Sequence, residues 1–278
     1  MASLKSNIQQ SLKRAHLLGR LRESCLYDLY WKFADPRVVE KKNREVQFYR
    51  DLLAGFPPGG LIFDIGANRG VKTGIFLKLG ARVVAVDPDD SNQNVLREKF
   101  LDYRLFKKPV TIVGKAVSDK NGVDTFFVDE PGSAKNTLNH KWVEILQQDD
   151  KRFGKNLHFD NRKEVVTITL DDLIKTHGEP YFVKIDVEGH EPSVLAGLKR
   201  PVPFLSFEVN LPEFRAEGLK CIELLGAVAP TGKFNYADDQ LKLVSPQWLS
   251  VDEFRRVFEQ CNDESIEIIW KTESQGAR

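Results

Sequence analysis

The stretch Phe63 to Asp90, FDIGANRGVKTGIFLKLGARVVAVDPDD, constrains the fold more than any other part of the chain. A short apolar run stops at Asp64 and crosses Gly66 and Gly70. It gives way to a helical pattern closed by Gly80, then repeats and stops at Asp87. Apolar runs this short, bounded by glycine turns, suit strands buried on both faces. A helix between two such strands makes them parallel neighbours, because parallel pairing needs a crossover connection.

The alternation continues downstream. NQNVLREKFLDY reads as a helix and VTIVGKAVS as a third strand. NGVDTFFVDE reads as the second arm of a hairpin turning at Asn121-Gly122. VVTITLDDLIKTHG gives a strand and a short helix, YFVKID a strand, PSVLAGLKR a helix and PFLSFEVN a fifth core strand. After the helix EFRAEGLKCIELLGAV come a strand at KFNYAD, a capping box at Ser250 and Glu253 before VDEFRRVFEQC, and a terminal strand at SIEIIWKT. The expected fold is therefore α/β, a doubly wound, mostly parallel sheet with right-handed crossovers. Residues 1–58 form an N-terminal helical extension that includes the charged run DPRVVEKKNREVQFYRDLL and is closed by the break FPPGG. Residues 59–278 form the main domain, with a polar, aromatic-punctuated insertion at about 130–163.

Charge and cysteine usage narrow the partners. Lys plus Arg is 41 and Asp plus Glu 40, a net charge of +1, so the concentrated basic excess of a nucleic-acid binder is missing. Cys25, Cys221 and Cys261 have neither metal-ligand nor disulfide spacing, which points to a reducing cytoplasm. No run of the ~20 apolar residues that cross a bilayer occurs, and no stable membrane insertion is expected. Leu4, Ile8, Leu12 and Leu18 lie among basic residues at helical spacing. They suit an amphipathic helix packed on its own domain or on a second subunit in a homo-oligomer, with a membrane-surface helix as the sharper alternative.

The two acids carry the ligand chemistry. Ligands of open parallel sheets bind beyond the carboxyl ends of the strands, where Asp64 and Asp87 are expected. An acid about twenty residues after a glycine turn can accept hydrogen bonds from ribose hydroxyls. A dinucleotide turn wants a third glycine where this chain has Asn68, and an acid before Gly66 opposes a pyrophosphate. A nucleoside with a positive amino group and no phosphate fits instead, and S-adenosylmethionine is such a ligand. Glycine turns with capping acids also occur for purely structural reasons.

A second constellation follows at YFVKIDVEGHEPSVLAGL, which holds Lys184, Asp186, Glu188 and His190, and FLSFEVN ends in Glu208 and Asn210. Together, FDIGANRG, AVDP, LDDL, FVKIDVEGHE, VLAGL and FEVN resemble the FkbM family of SAM-dependent methyltransferases, over roughly Leu61 to Asn210. The resemblance implies a class I methyltransferase sheet of seven strands with a last antiparallel hairpin. It implies that Asp64, Gly66, Ala67, Asn68 and Gly70 surround the methionine moiety. Asp87 and Pro88 would hold the ribose and Val117 and Ser118 line adenine, while Asp186 faces the sulfonium and the acceptor. Asp87 stands where the family commonly has Glu, and Asn210 where His is frequent.

An alcohol acceptor must lose a proton during transfer, so a base is needed. Asp186, Glu188 and His190 are all candidates, and Asp186 could act in binding alone. Within the insertion, Lys135, Asn136, His140 and Trp142 would suit a hydroxyl-rich acceptor, Trp142 offering an aromatic face; Glu208 and Asn210 complete that set. Asp186, Glu208 and Asn210 could also hold Mg²⁺. Neighbouring strand-end acids more often bond loop backbone, so no metal is assigned. The expected activity is O-methylation of a small hydroxylated acceptor, a sugar or glycosylated natural product. An NAD-dependent oxidoreductase and an inactive SAM-binding subunit remain the rivals.

Overall fold

The computed structural model describes residues 36–103, 105, 109–148, 157–238 and 240–272. The readings of Leu4, Ile8, Leu12, Leu18 and Cys25, and of an oligomer built through the first helices, lie outside those residues. The elements, in chain order, are α1 (Pro36–Leu52), β1 (Leu61–Ile65), α2 (Val71–Lys78), β2 (Arg82–Val86), α3 (Asp90–Lys99), β3 (Val110–Val113), β4 (Ala116–Val117), β5 (Gly122–Val128) and α4 (His140–Gln148). They continue with β6 (Asn161–Ile168), α5 (Leu170–His177), β7 (Phe182–Ile185), α6 (Glu191–Ala196), β8 (Phe204–Asn210), α7 (Arg215–Val228), β9 (Lys233–Ala237), α8 (Val251–Glu259) and β10 (Ser265–Lys271).

Seven strands form one sheet in the order β3-β2-β1-β7-β8-β10-β9. The pairings β3–β2, β2–β1, β1–β7 and β7–β8 are parallel, and β10 runs antiparallel to both β8 and β9. All five residues of β1 and all four of β7 are buried, as continuous apolar runs in a doubly covered sheet require. The strand period of two divides the core into layers. Phe63, Ile65, Val183 and Ile185 join one cluster, while Ile62, Val83, Ala85 and Phe182 join the other. Among the described residues, no helix is long and apolar enough to cross a membrane.

Two local expectations change. VTIVGKAVS is not one strand: it breaks at Gly114, β3 stays in the main sheet, and β4 leaves to join a second, three-stranded sheet ordered β4-β6-β5. β5 is accordingly not the arm of a hairpin on β4. β6 lies between them, parallel to β4 and antiparallel to β5. The Asn121-Gly122 turn sends the chain past a neighbouring slot that a strand from much later in the sequence fills. Local turn chemistry cannot reveal such a partner. The insertion is likewise not all irregular, since α4 lies inside it and packs Trp142, Val143 and Leu146 into the core.

Candidate functional site

Gly66, Asn68 and Gly70 all adopt left-handed backbone, with φ of 77°, 48° and 70°. The turn folds back so that the N–H groups of Gly66 and Ala67 both donate to the Val86 carbonyl, at 2.9 and 3.0 Å. A Cβ on Gly66 would lie 1.7 Å from the Asp186 carbonyl oxygen, and one on Gly70 would meet Leu96 and Phe100 at 2.6 Å. The sequence reading gave these glycines to an approaching ligand. Their first task is instead to let the β1 turn touch the end of β7 and the flank of α3. Gly66 and Asn68 still line the crevice at the carboxyl ends of the strands, whereas Ala67 is buried in the core.

The two strand-end acids part company. Asp87, 5% exposed, lines the crevice. It accepts the N–H groups of Asn68 at 2.8 Å and Asp89 at 2.9 Å, and Asn92 Nδ2 at 3.2 Å. Burial pushes its carboxyl up to about 6 against the pull of those donors. Asp64, 1% exposed, does not line the crevice. The alternation of β1 places it on the face of Ile62, against α2, where Thr73 Oγ1 donates to it at 2.5 Å. Burial raises it to about 6 as well, with Thr73 and Lys184 opposing. The expectation that both carboxylates surround a ligand is therefore corrected to one. Beside Asp87 the structure adds a residue that the sequence reading missed. Asn92, 2% exposed and lining the same crevice, has an Oδ1 atom with no hydrogen-bond partner. Its only sequence signal is a polar residue in the first turn of the helix after the acid-ended strand.

The same crevice is lined by Asp186, Glu188 and His190, delivered by the turn after β7. Lys184, 2% exposed, lies behind them and reaches Asp186 Oδ2 at 3.7 Å. Burial alone would lower its ammonium, but Asp186, Glu267, Glu208 and Asp64 outweigh that and hold it well above its ordinary value. Glu188 is pushed well above the carboxylate range by burial, then by Asp186, Glu208 and Glu191. Burial lowers His190, whose Nε2 lies 3.1 Å from Ser118 Oγ. Among the described residues, no group of three or more His, Cys, Asp or Glu is arranged to hold a metal ion.

The insertion roofs the crevice through Ser133, Ala134, Asn136, Thr137 and Leu138, and Lys115, Val117 and Phe126 wall it from below. Of the acceptor-binding candidates, Asn136 is buried and its amide is fully used. It donates to Asp89 Oδ2 at 3.0 Å and to the Glu130 carbonyl at 2.9 Å, and accepts from the Asp129 N–H at 2.9 Å. Trp142 offers no open face: it is 3% exposed and packed edge-on against Phe214. His140 lies at the surface beside Glu144 at 3.2 Å, and neither it nor Lys135 lines the crevice. Glu208 and Asn210 line a small neighbouring pocket with Gly189 and Phe214, where Glu208 accepts from Ser265 Oγ at 2.7 Å.

A seven-stranded, mostly parallel sheet in this order, with one reversed strand next to its edge and a crevice over β1, β2 and β7, is the class I methyltransferase arrangement. This chain belongs to the FkbM methyltransferase family, whose domain matches residues 64–264. No curated protein matches it. A solved FkbM methyltransferase from Methylobacillus flagellatus is similar at 16% identity and a TM-score of 0.47, over 78% of this chain but only 45% of that one. A TehB-like SAM-dependent methyltransferase from Corynebacterium glutamicum is similar at 13% identity and a TM-score of 0.41, covering 83% and 88% of the two chains. A precorrin-6y C5,15-methyltransferase from Geobacter metallireducens follows at 10% identity and 0.40, covering 83% and 87%.

Proposed function

We propose that the crevice binds S-adenosylmethionine and that the enzyme transfers its methyl group to a hydroxyl of a small, uncharged acceptor, with a sugar unit as the leading class. The observation that carries this reading is the pair of buried acceptors, the Asp87 carboxylate and the partnerless Asn92 Oδ1, side by side in the crevice wall. A buried acceptor without a donor is costly, by about 1–3 kcal/mol, so a ligand presenting adjacent hydroxyl donors suits it. A ribose diol is such a group, whereas a pyrophosphate against Asp87 would meet like charge. Val117, Phe126 and Leu138 supply apolar walls for a flat base.

When bound, the cofactor supplies a methyl group on a positively charged sulfur, already a good electrophile. The chain's own residues have to align the acceptor and take its proton, and alignment is worth up to ~7–11 kcal/mol in favourable model reactions. Asp186, Glu188 and His190, which line the same crevice, are the groups this reading gives to the acceptor. The Asp186 carboxylate there and an imidazole whose positive form burial disfavours suit an uncharged acceptor better than a phosphorylated or carboxylated one. That charge pattern and the family support the reading of O-methylation of a neutral polyol.

Thermal unfolding with S-adenosylmethionine, S-adenosylhomocysteine and NAD in turn tests the cofactor assignment. At 100 times Kd a ligand stabilises by about 2.7 kcal/mol, a shift of a few degrees for a chain of this size. The two adenosyl ligands should produce it and NAD should not, and Asp87→Ala should abolish it. An undiminished shift in that variant would remove Asp87 from the binding site. Tritium transfer from labelled donor to a panel of methyl glycosides tests the acceptor class.

A further inference from the structure

The insertion reaches the turn after β7 at three points. Trp142 Nε1–H donates to the Glu188 carboxylate at 3.0 Å, Thr137 Oγ1 donates to the Glu188 carbonyl at 2.8 Å, and Asn139 Nδ2 donates to the Gly189 carbonyl. Glu188 itself has φ of 54°. Non-glycine residues keep that conformation only where their surroundings hold them, and such residues cluster at working sites. The strained backbone and the three bonds have one common effect, which is to fix Glu188, a residue of the crevice wall, in place. The indole ring cannot turn away, because Phe214 meets it edge-on at 5.2 Å.

We propose that Glu188 takes the proton from the acceptor hydroxyl, and that Trp142 is the positioning residue that holds its carboxylate for that task. The inference rests on the methyl-transfer reading above. A Glu188 oxygen accepts the proton, the pair freed on the acceptor oxygen forms the bond to the methyl carbon, and the pair of the broken carbon–sulfur bond stays with the departing thioether. Charge is conserved, since the positive sulfur becomes neutral as the carboxylate becomes neutral.

The surroundings suit the role. Asp186 at the end of β7, Glu191 on α6 and Glu208 on β8 act on Glu188 with burial, and a carboxylate raised in this way is a stronger base than an ordinary one. The Trp142 bond pulls in the opposite direction, favouring the ionised form that can accept a proton. His190, in the same crevice, is engaged with Ser118.

The full chain tests this without and with ligand. In ligand-free protein, tryptophan emission followed against pH should show an inflection above the ordinary carboxylate range, and Glu188→Gln should remove it. Glu188→Asp, which tolerates left-handed backbone better, is the second variant; it retracts the carboxylate from the indole and should also lose the inflection. Trp142→Phe keeps a ring against Phe214 and deletes only the N–H donor. It should shift the acid limb of the methyl-transfer profile to higher pH by about one unit, the size of one charge-assisted hydrogen bond. Neither Glu188 nor Trp142 is bonded to Asp87, whose partners are Asn68, Asp89 and Asn92, so the thermal shift with S-adenosylmethionine should persist in every variant. An inflection that survives in Glu188→Gln, wild-type transfer to the methyl glycosides by that variant, or an unmoved acid limb in Trp142→Phe would overturn the proposal. Failure of the wild-type protein to shift with S-adenosylmethionine would count against the cofactor reading instead.

Discussion

Asp64 and Asp87 end neighbouring strands and are both pushed up to about 6 by burial, yet only Asp87 lines the crevice. For Asp64 the consequence is one of stability. An acid whose folded-state value lies above its unfolded value of about 3.9 binds more protons when folded, so it opposes folding as pH rises. The penalty is absent below that unfolded value, grows through the interval up to about 6, and is complete above it. Asp64→Asn keeps an acceptor for Thr73 and removes the titration. Its melting temperature should therefore gain on the wild type between pH 4 and 6.5 and then run level, by up to about 3 kcal/mol in stability, less what Lys184 loses. A difference that stays flat across that range would show that Asp64 does not titrate as described. Asp87 was legible in the sequence because the end of an apolar strand and the distance from the glycine turn both mark it. Asp64 was misplaced because β1 is apolar on both faces, leaving no polar alternation to show which way its acid points. Asn92 carried almost no signal: a polar residue in a first helical turn is ordinary until its neighbours are known.

At the scale of elements, the sheet was readable wherever order is local, and unreadable where distant partners supply it. The strands β1, β2, β7 and β8 and the capping box at Ser250 and Glu253 appear where apolar runs and caps placed them, and the last two strands pair antiparallel as the family resemblance implied. The segment from Glu130 to Asn139 looked like loose polar chain. It is instead pinned at one end to Asp89, which accepts from the Gly132 N–H and from Asn136 Nδ2, both at 3.0 Å, and at the other end to Glu188 and Gly189. Asn136→Ala deletes one fastening and strands its partners, a loss of about 1–3 kcal/mol at a buried amide. Because Asp129 and Glu130 belong to the roof and Asp89 lies beyond the end of β2, hydrogen exchange should quicken across residues 129–138 while β1 and β2 keep their protection. Unchanged exchange in the roof would mean that its order comes from elsewhere. The same partition explains why acceptor candidates chosen by residue type fared unevenly. Asn136 and Trp142 have the chemistry of binding residues, and the fold uses that chemistry internally.

For the molecule as a whole, the question is where the folding unit begins. The family domain begins at Asp64, and the sequence reading set the helices before residue 59 apart as an extension. α1 is nevertheless built into the layer beneath the glycine turn. Tyr49, fully buried, meets Phe76 edge-on at 5.1 Å and Phe182 at 5.9 Å, and its hydroxyl donates to Glu267 Oε1 on β10 at 3.1 Å. Lys72 on α2 pairs with Glu45 at 3.0 Å. One side chain thus touches β7, β10 and the helix that carries the Asp64 partner Thr73, so α1 is tied to two strands of the sheet and to α2. Removing it would uncover Phe76 and Phe182, each worth about 1.5–3 kcal/mol of burial, and leave Glu267 without its tyrosine. Losses of that size approach the whole stability of a typical domain. A chain starting at Pro57 should therefore lose its cooperative melting transition, whereas the full chain should melt cooperatively and respond to S-adenosylmethionine. If the shorter chain melted cooperatively within a few degrees of the full protein, α1 would be an appendage after all. Its packing would then stabilise only itself.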